Sequence, residues 1–121
     1  MTTSDLKTRT KKYAVAIALF CESLPDRRFF LPYAKQLVRA SSSVGANYRA
    51  ACRAKSTADF IKKLKIVEEE CDETMYFMEL IVELDKSQKP AVTKLWKEGN
   101  EILSIIVASI KTLRQKQKRK K

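Results

Sequence analysis

Residues 56–84 have the sequence STADFIKKLKIVEEECDETMYFMELIVEL, and this stretch determines the fold class. It contains neither glycine nor proline, so nothing interrupts a long regular segment. Ser56 is a good N-cap with Asp59 in a capping-box arrangement, and we predict a helix from Ser56 to about Leu84. Its apolar stripe, at the spacing of one helix face, comprises Phe60, Leu64, Val67, Cys71, Thr74, Met78 and Ile81.

Three other segments have the same helical period. Their predicted bounds are Ser4 or Asp5 to about Ser23, Pro32 to about Lys55, and Pro90 to about Gln115. Pro32 and Pro90 suit the starts of the second and fourth helices, because the N–H that proline lacks has no partner in a first turn. The stripes are Tyr13, Ile17, Phe20 and Leu24 in the first helix, Leu37, Val44, Tyr48 and Ala51 in the second, and Val92, Trp96, Gly99, Leu103, Ile106, Ile110 and Leu113 in the fourth.

Four amphipathic helices with short connections predict an all-α fold, an antiparallel up-down-up-down four-helix bundle. The chain of 121 residues has the size of one domain. We assign residues 1–115 to the bundle and residues 116–121 to a basic C-terminal tail, which we expect to fray because like charges repel.

Two of the predicted helices carry more apolar surface than one bundle core can bury. The first is apolar all round between Tyr13 and Cys21, and the later half of the third has a second apolar face. A helix that is apolar on both sides is usually buried on both sides, so we predict a homo-oligomer. The alternative is that these are scattered surface residues. The predicted interface residues are Val15, Ala18, Leu19, Ile66, Phe77, Leu80 and Leu84.

The chain is strongly basic, with 25 Lys and Arg against 14 Asp and Glu and a formal net charge of +11. Such an excess predicts a polyanionic partner, either nucleic acid or an acidic lipid surface. The tail lacks bulky apolar anchors, so we expect nucleic acid as the partner and no membrane. Seven positive charges lie in the last eleven residues: Lys111, Arg114, Lys116, Lys118, Arg119, Lys120 and Lys121.

A second basic feature lies on the second predicted helix. At about 100° per residue, Lys35, Arg39, Arg49 and Arg53 fall in one sector and are candidates for contact with successive phosphates. Two alternatives stay open: a solvated face, or arginines paired with carboxylates of the third helix across a subunit boundary. Glu70 lies between the core stripe and the second apolar face, so we expect it to be partly buried with a cationic or amide partner.

The residue types do not favour an enzyme. The chain has no His, no Gly-rich phosphate loop, and no Ser or Cys beside a recognisable base. The acidic residues between positions 68 and 73 point around the helix and do not converge on a metal site. The three cysteines lack zinc-site spacing and are expected in the core. We therefore predict a non-enzymatic protein with no metal and no cofactor.

The expected location is the cytoplasm. The polar start of the chain lacks a signal-peptide pattern. The longest apolar run, Tyr13 to Cys21, is shorter than the roughly 20 residues that span a bilayer.

Residues 40–46 are nearly all small, which allows another helix to approach closely. Gly45 inside a helix costs about 1 kcal/mol relative to Ala, and close packing is the compensating reason that we predict. We expect the Asn47 amide to bond to a neighbouring helix.

Two stretches are distinctive: LVRASSSVGANYRAACRA at residues 37–54, and residues 56–73, with the motifs SVGAN at 43–47 and ADF at 58–60. They closely resemble the bacterial four-helix-bundle proteins encoded by intervening sequences of 23S ribosomal RNA genes. The resemblance extends from Tyr13 to about Leu113. Many members of that family carry an acidic residue where Ala50 stands here.

The resemblance implies a closed, barrel-like ring of five bundles. It implies no established activity, and nucleic-acid binding is the usual proposal. A related branch with the same ring architecture, the accessory protein of diversity-generating retroelements, binds nucleic acid and the element's reverse transcriptase.

We therefore predict a non-enzymatic, oligomeric nucleic-acid-binding protein that contacts the phosphate backbone with little sequence discrimination. The alternative is an accessory or scaffold protein that docks a nucleic-acid enzyme such as a retroelement reverse transcriptase.

Overall fold

The computed structural model describes residues 2–119. Nearly all of this range lies in four helices, α1 (Thr3–Ser23), α2 (Phe30–Ala51), α3 (Thr57–Leu84) and α4 (Lys89–Arg119), with a short 3-10 helix at Lys86–Gln88. No strand occurs between residues 2 and 119, which confirms the predicted all-α class. None of these four helices has both the length and the apolar character needed to cross a membrane.

Side-chain caps start α1 and α3. The Thr2 hydroxyl accepts the Asp5 N–H at 3.1 Å, and the Asp5 carboxylate accepts the Thr2 N–H in return. At α3 the Ser56 hydroxyl accepts the Asp59 N–H at 3.1 Å, as predicted. The Asp59 carboxylate accepts the N–H of Lys55 instead of closing the box on Ser56. Both helices begin within two residues of their predicted starts.

The end of α2 was predicted wrongly. The helix stops at Ala51 and not near Lys55. The N–H groups of Arg53 and Ala54 donate to carbonyls three residues earlier, which tightens the chain into a turn. Ser56 must then adopt the extended conformation of an N-cap, so the helix cannot continue into it.

Helix α4 continues further than predicted, beyond Gln115 and through Arg119, the last described residue. No glycine or proline follows Gly99, and Lys and Arg are good helix formers. Their positive charges also complement the negative end of the helix dipole, which outweighs the repulsion between them.

One apolar cluster runs through all four helices. The predicted stripes supply most of it, and their central residues, such as Ile17, Val44, Val67 and Ile106, are fully buried. Burying a side chain of this size contributes about 1.5–3 kcal/mol. Some stripe residues are only half-buried: Leu24, Phe60, Trp96, Leu103 and Leu113. Buried residues that the stripes missed are Leu6, Thr10, Phe30, Ala40, Ser41, Ile61, Met75 and Ile102.

Each helix packs against two others. Within residues 2–119, the backbone of α2 is adjacent to α1 and α3, and that of α4 to α3 and α1, whereas the backbones of α1 and α3 are not adjacent. These two helices therefore lie on opposite sides of the core.

Both glycines of the chain lie inside helices, where α1 packs against its neighbours. A Cβ atom at Gly45 of α2 would be 3.6 Å from the Thr10 backbone, which confirms the predicted close approach of another helix. A Cβ atom at Gly99 of α4 would be 2.5 Å from the Tyr13 hydroxyl. That hydroxyl is buried and has no hydrogen-bond partner among residues 2–119.

The prediction for Asn47 was wrong, because within residues 2–119 its amide does not bond to another helix. The amide nitrogen donates to the carbonyl and the hydroxyl of Ser43, at 2.9 and 2.8 Å, one turn earlier in α2. This local bond satisfies the half-buried amide within its own helix.

We predict opposite effects for alanine at the two glycines. Gly99→Ala should lower the free energy of unfolding by about 1–3 kcal/mol, because its methyl group would overlap the Tyr13 hydroxyl. Gly45→Ala should leave stability unchanged or raise it by up to about 1 kcal/mol, because its contacts are ordinary and alanine favours helix. Urea unfolding followed by circular dichroism measures both. Tyr13→Phe should reduce the penalty at Gly99, and equal effects at the two glycines would contradict this packing.

Candidate functional site

Four segments of the chain meet at one end of the structure, which we call the basic end. An apolar groove joins the start of α1, the end of α2, the start of α3 and the last turns of α4. Its lining residues are Thr2, Thr3, Leu6, Tyr48, Phe60, Leu64, Ile105, Ala108, Ser109, Thr112 and Leu113. We define the basic end as residues 2–12, 48–65 and 108–119.

The basic end holds all of the excess positive charge of the described chain. Its three ranges contain 15 Lys and Arg and only two acidic residues, Asp5 and Asp59. The other described ranges, 13–47 and 66–107, contain eight Lys and Arg against twelve Asp and Glu. Charge is therefore segregated along the molecule, because folding brings together basic segments that are far apart in sequence.

A surface groove of about 590 Å³ lies between α1 and α2 at this end, and we call it the cationic groove. Its walls carry Lys7 and Lys11 from α1, Arg49 from α2, and Arg53 from the turn that follows α2. All four side chains are exposed, and none forms an ion pair with a carboxylate of residues 2–119. The other lining residues are uncharged: Thr8, Ala14, Val15, Ser42, Gly45 and Ala46.

The groove forms because α1 and α2 meet over small side chains, with Gly45 against the backbone of α1. Lys7 and Lys11 are one helical turn apart, about 6 Å of rise, so they project from the same face of α1. Arg49 lies in the last turn of α2, and Arg53 follows in the turn after that helix. Four like charges around an uncharged floor create a positive potential that attracts anions. No aromatic side chain lines the groove, so it offers no surface for stacking bases.

The predicted basic stripe of α2 is divided into two halves. Arg49 and Arg53 belong to the cationic groove, whereas Arg39 donates to Glu70 at 3.0 Å and to Glu73, both on α3. Glu70, whose side chain is 19% exposed, thus has the cationic partner that we predicted. These ion pairs form within one chain. Lys35 is exposed in a separate groove that also contains Glu73, so this half of the stripe lies beside carboxylates.

The last turns of α4 present further cations to solvent. All five are exposed, and none forms an ion pair within residues 2–119. They are Lys111, Arg114, Lys116, Lys118 and Arg119. Lys120 and Lys121, which were also predicted to contact a polyanion, lie outside the described residues.

Arg9 is a cation of the basic end that the chain neutralises itself. It donates to both carboxylate oxygens of Glu98, at 2.8 and 2.6 Å, and pairs with Glu101 at 2.9 Å. The Arg9 guanidinium lowers the pKa of the Glu98 carboxyl, and the hydrogen bond from Arg9 to Glu98 raises the pKa of Arg9. These contacts fasten α1 to α4 and leave Arg9 less available for an external anion.

The residues predicted to contact a second copy lie on two separate surfaces. On α1, Val15 and Leu19 are 54% and 66% exposed, and Ala18 is exposed beside them. On α3, Leu84 is 39% exposed. The other three predicted residues of α3 are half-buried: Ile66, Phe77 and Leu80. Exposed large apolar residues that were not predicted are Leu31, Val38, Tyr76 and Val107.

The described chain shows little that could support covalent or metal chemistry. No group of three or more His, Cys, Asp or Glu side chains in residues 2–119 is arranged to hold a metal ion. Burial raises the pKa of Cys71 to about 12 and that of Cys21 to about 11. Thiols with such pKa values are protonated at neutral pH and are therefore weak nucleophiles.

Comparison with known proteins identifies the family. The family model described as 23S rRNA-intervening sequence protein matches residues 3–108. The chain belongs to this family. It is also similar to the crystal structure of a protein with unknown function from the S23 ribosomal protein family of Bacteroides thetaiotaomicron. The TM-score is 0.83 and the identity 31%, with 92% of this chain and 99% of that chain covered. Comparison with curated protein sequences gave no match.

Family membership confirms the resemblance inferred from the motifs between residues 37 and 73. The matched range of this 23S rRNA-intervening sequence protein includes all four cations of the cationic groove. It ends before Lys111, the first of the exposed cations in the last turns of α4. The residues of the groove thus lie within the matched range, whereas those five cations lie beyond it.

We predict that Glu98→Gln weakens the contact between α1 and α4 in a pH-dependent way. The folded-state pKa of Glu98 lies below its ordinary value of 4.5, so below that pH the folded state binds fewer protons than the unfolded state. Its stabilising contribution is complete above pH 4.5 and is lost as the pH falls through the lowered pKa. At pH 7 the free energy of unfolding of the variant should be lower by up to about 1 kcal/mol. The loss is no larger because the Glu98 side chain is 35% exposed, so water screens its ion pair.

Urea unfolding between pH 7 and pH 3 measures this difference, which should shrink below about pH 4.5. The matched control is Glu83→Gln, whose partner Lys86 is 70% exposed and which should change stability by less than about 0.5 kcal/mol. A difference at Glu98 that grew on acidification would contradict the prediction.

Proposed function

We propose that this protein is a non-enzymatic, oligomeric nucleic-acid-binding protein that contacts the phosphate backbone with little sequence discrimination. The observation that carries the proposal is the segregation of charge, with 15 Lys and Arg against two Asp at the basic end. Such a concentration of positive charge attracts polyanions through long-range electrostatic forces.

The distribution of exposed apolar residues favours nucleic acid over a membrane surface. Binding at a lipid surface needs bulky apolar side chains among the cations. Among the exposed large apolar residues of the described chain, Val15 lines the cationic groove, whereas the others lie outside the basic end and this groove: Leu19, Leu31, Val38, Tyr76, Leu84 and Val107. The basic end and its groove therefore combine many cations with a single exposed large apolar side chain, which suits phosphate better than acyl chains.

We further propose that the helices run antiparallel, up-down-up-down. The contacts between neighbouring helices support this arrangement, because a later residue of one helix contacts an earlier residue of the next. Thr10 of α1 lies against Gly45 of α2, whereas the later Cys21 donates its S–H to the carbonyl of the earlier Ala34. The hydrogen bonds between α3 and α4 show the same reversal.

The oligomer that we propose is a closed ring, with five subunits as the family resemblance implies. The exposed apolar residues of α1 and those of α3 support a ring, because these two helices lie on opposite sides of the core. A contact between two different surfaces is head-to-tail, and repetition of such a contact closes into a ring when the rotation permits. A two-fold dimer would instead use one surface twice.

Light scattering tests the oligomer. The wild type should have a mass of about 70 kDa, five times the chain mass of 13.9 kDa. Leu19→Glu should reduce that mass, because it would bury a charge in an apolar contact. Val107→Glu is the matched control, since Val107 is also exposed but lies on α4, outside both surfaces. A wild-type mass of one chain would contradict any oligomer, and a mass of two chains would contradict the ring.

A salt titration tests nucleic-acid binding. By fluorescence anisotropy, labelled single-stranded RNA, duplex RNA and duplex DNA of about 20 nucleotides should all bind at low salt. For duplex DNA, the logarithm of the binding constant should fall against the logarithm of salt concentration with a slope of roughly −4 or steeper, one phosphate for each groove cation. Absence of binding to all three at about 50 mM salt would end the proposal. Absence of binding together with recovery of one nuclease-resistant protein partner would favour the docking alternative.

A further inference from the structure

We propose that the cationic groove, and not the end of α4, is the principal contact with the phosphodiester backbone of a bound polynucleotide. This inference rests on the proposed function and adds the residues and the chemical group that they recognise. It assigns the contact to Lys7 and Lys11 together with Arg49 and Arg53.

The first reason is that the groove contains converging cations without carboxylate partners. Arg9 and Arg39 show the opposite case, since two carboxylates within the chain neutralise each of them. No carboxylate lines the groove, so its four like charges repel one another until an external anion binds. A chain of phosphates is the anion that matches two rows of cations.

The second reason is that the groove is held rigidly before any ligand arrives. Its walls are two helices in direct contact, and α1 is also fastened to α4 through Arg9 and Glu98. By contrast, Leu113 is the last α4 residue packed against the core within residues 2–119, and four of the five exposed cations in the last turns of α4 follow it. Cations on a preorganised surface lose less conformational entropy on binding than cations on the last turns of a helix.

The third reason is the chemistry of the groove floor. Thr8 and Ser42 place hydroxyl groups among the cations, and Ala46 and Gly45 leave room for a ligand to approach the backbone. Hydroxyls and cations are the usual donors to phosphate oxygens. Since neither aromatic rings nor carboxylates line the groove, it can bind phosphates without reading bases.

The test compares double variants that each remove two positive charges from the full chain. Arg49→Gln with Arg53→Gln, and Lys7→Gln with Lys11→Gln, neutralise the two groove walls. Arg114→Gln with Lys116→Gln neutralises the end of α4. Lys94→Gln with Lys97→Gln is the matched control, because both lysines are exposed on α4 outside the basic end.

Anisotropy with single-stranded RNA and duplex DNA should show at least a tenfold loss of affinity for each groove variant at about 100 mM salt. The salt slope for duplex DNA should fall in magnitude by about two, one for each lost phosphate contact. The affinity of the α4-end variant should fall by less than about threefold, and that of the control by less than about twofold. Thermal unfolding and light scattering should show that all four variants keep the fold and the mass of the wild type.

Groove variants that behave like the control, while the wild type binds, would overturn the groove assignment and leave the proposed function intact. A larger loss in the α4-end variant would likewise place the contact on α4. Failure of the wild type to bind either polynucleotide would remove both proposals. Equal competition by polyglutamate of the same charge would overturn the assignment to phosphodiester groups.

Discussion

The packing of α1 against α2 and α4 is the interaction on which the remaining features depend. Gly45 and Gly99 remove the side chain at both contacts, so the backbone of α1 reaches α2 and the Tyr13 ring reaches α4. The ion pairs of Arg9 with Glu98 and Glu101 fasten the second contact. Because Lys7 and Lys11 are on the same helix, the packing that completes the core also sets one wall of the cationic groove. A shift of α1 would therefore change the core and the charged surface together.

Several acidic residues of the chain cap helices or join them, and the placement of the acidic residues leaves the basic end unbalanced. Both acidic residues of that end lie in the first turn of a helix, where Asp5 and Asp59 accept backbone N–H groups. Elsewhere, Glu70 and Glu98 hold arginines between helices. The surplus of like charge at the basic end is tolerated because those side chains are mostly exposed to water and salt, which weaken the repulsion.

Sequence periodicity was sufficient for the number of helices, their approximate bounds, most of the core and the cationic partner of Glu70. It could not place one helix relative to another, because a repeat defines a face of a single helix and not the rotation between two. For that reason Lys7 and Lys11 were not connected with Arg49 and Arg53, although each pair shows the spacing of one turn. Met75 was missed because α3 packs against both α2 and α4, which buries a wider arc than one stripe. The pairing of Arg39 with carboxylates of α3 was one open alternative for the stripe, but it was expected across a subunit boundary. Periodicity could not show that partners more than thirty positions away lie against Arg39 in the same chain.

The uneven distribution of charge has a kinetic consequence. A molecule with cations gathered at one end and a slight negative excess elsewhere has a large electric dipole moment. In the field of a polyanion such a molecule rotates before contact, so that most encounters begin with the positive end already facing the target. Oriented encounters raise the association rate constant far more than the dissociation rate constant changes, and the gain disappears as salt shortens the range of the field.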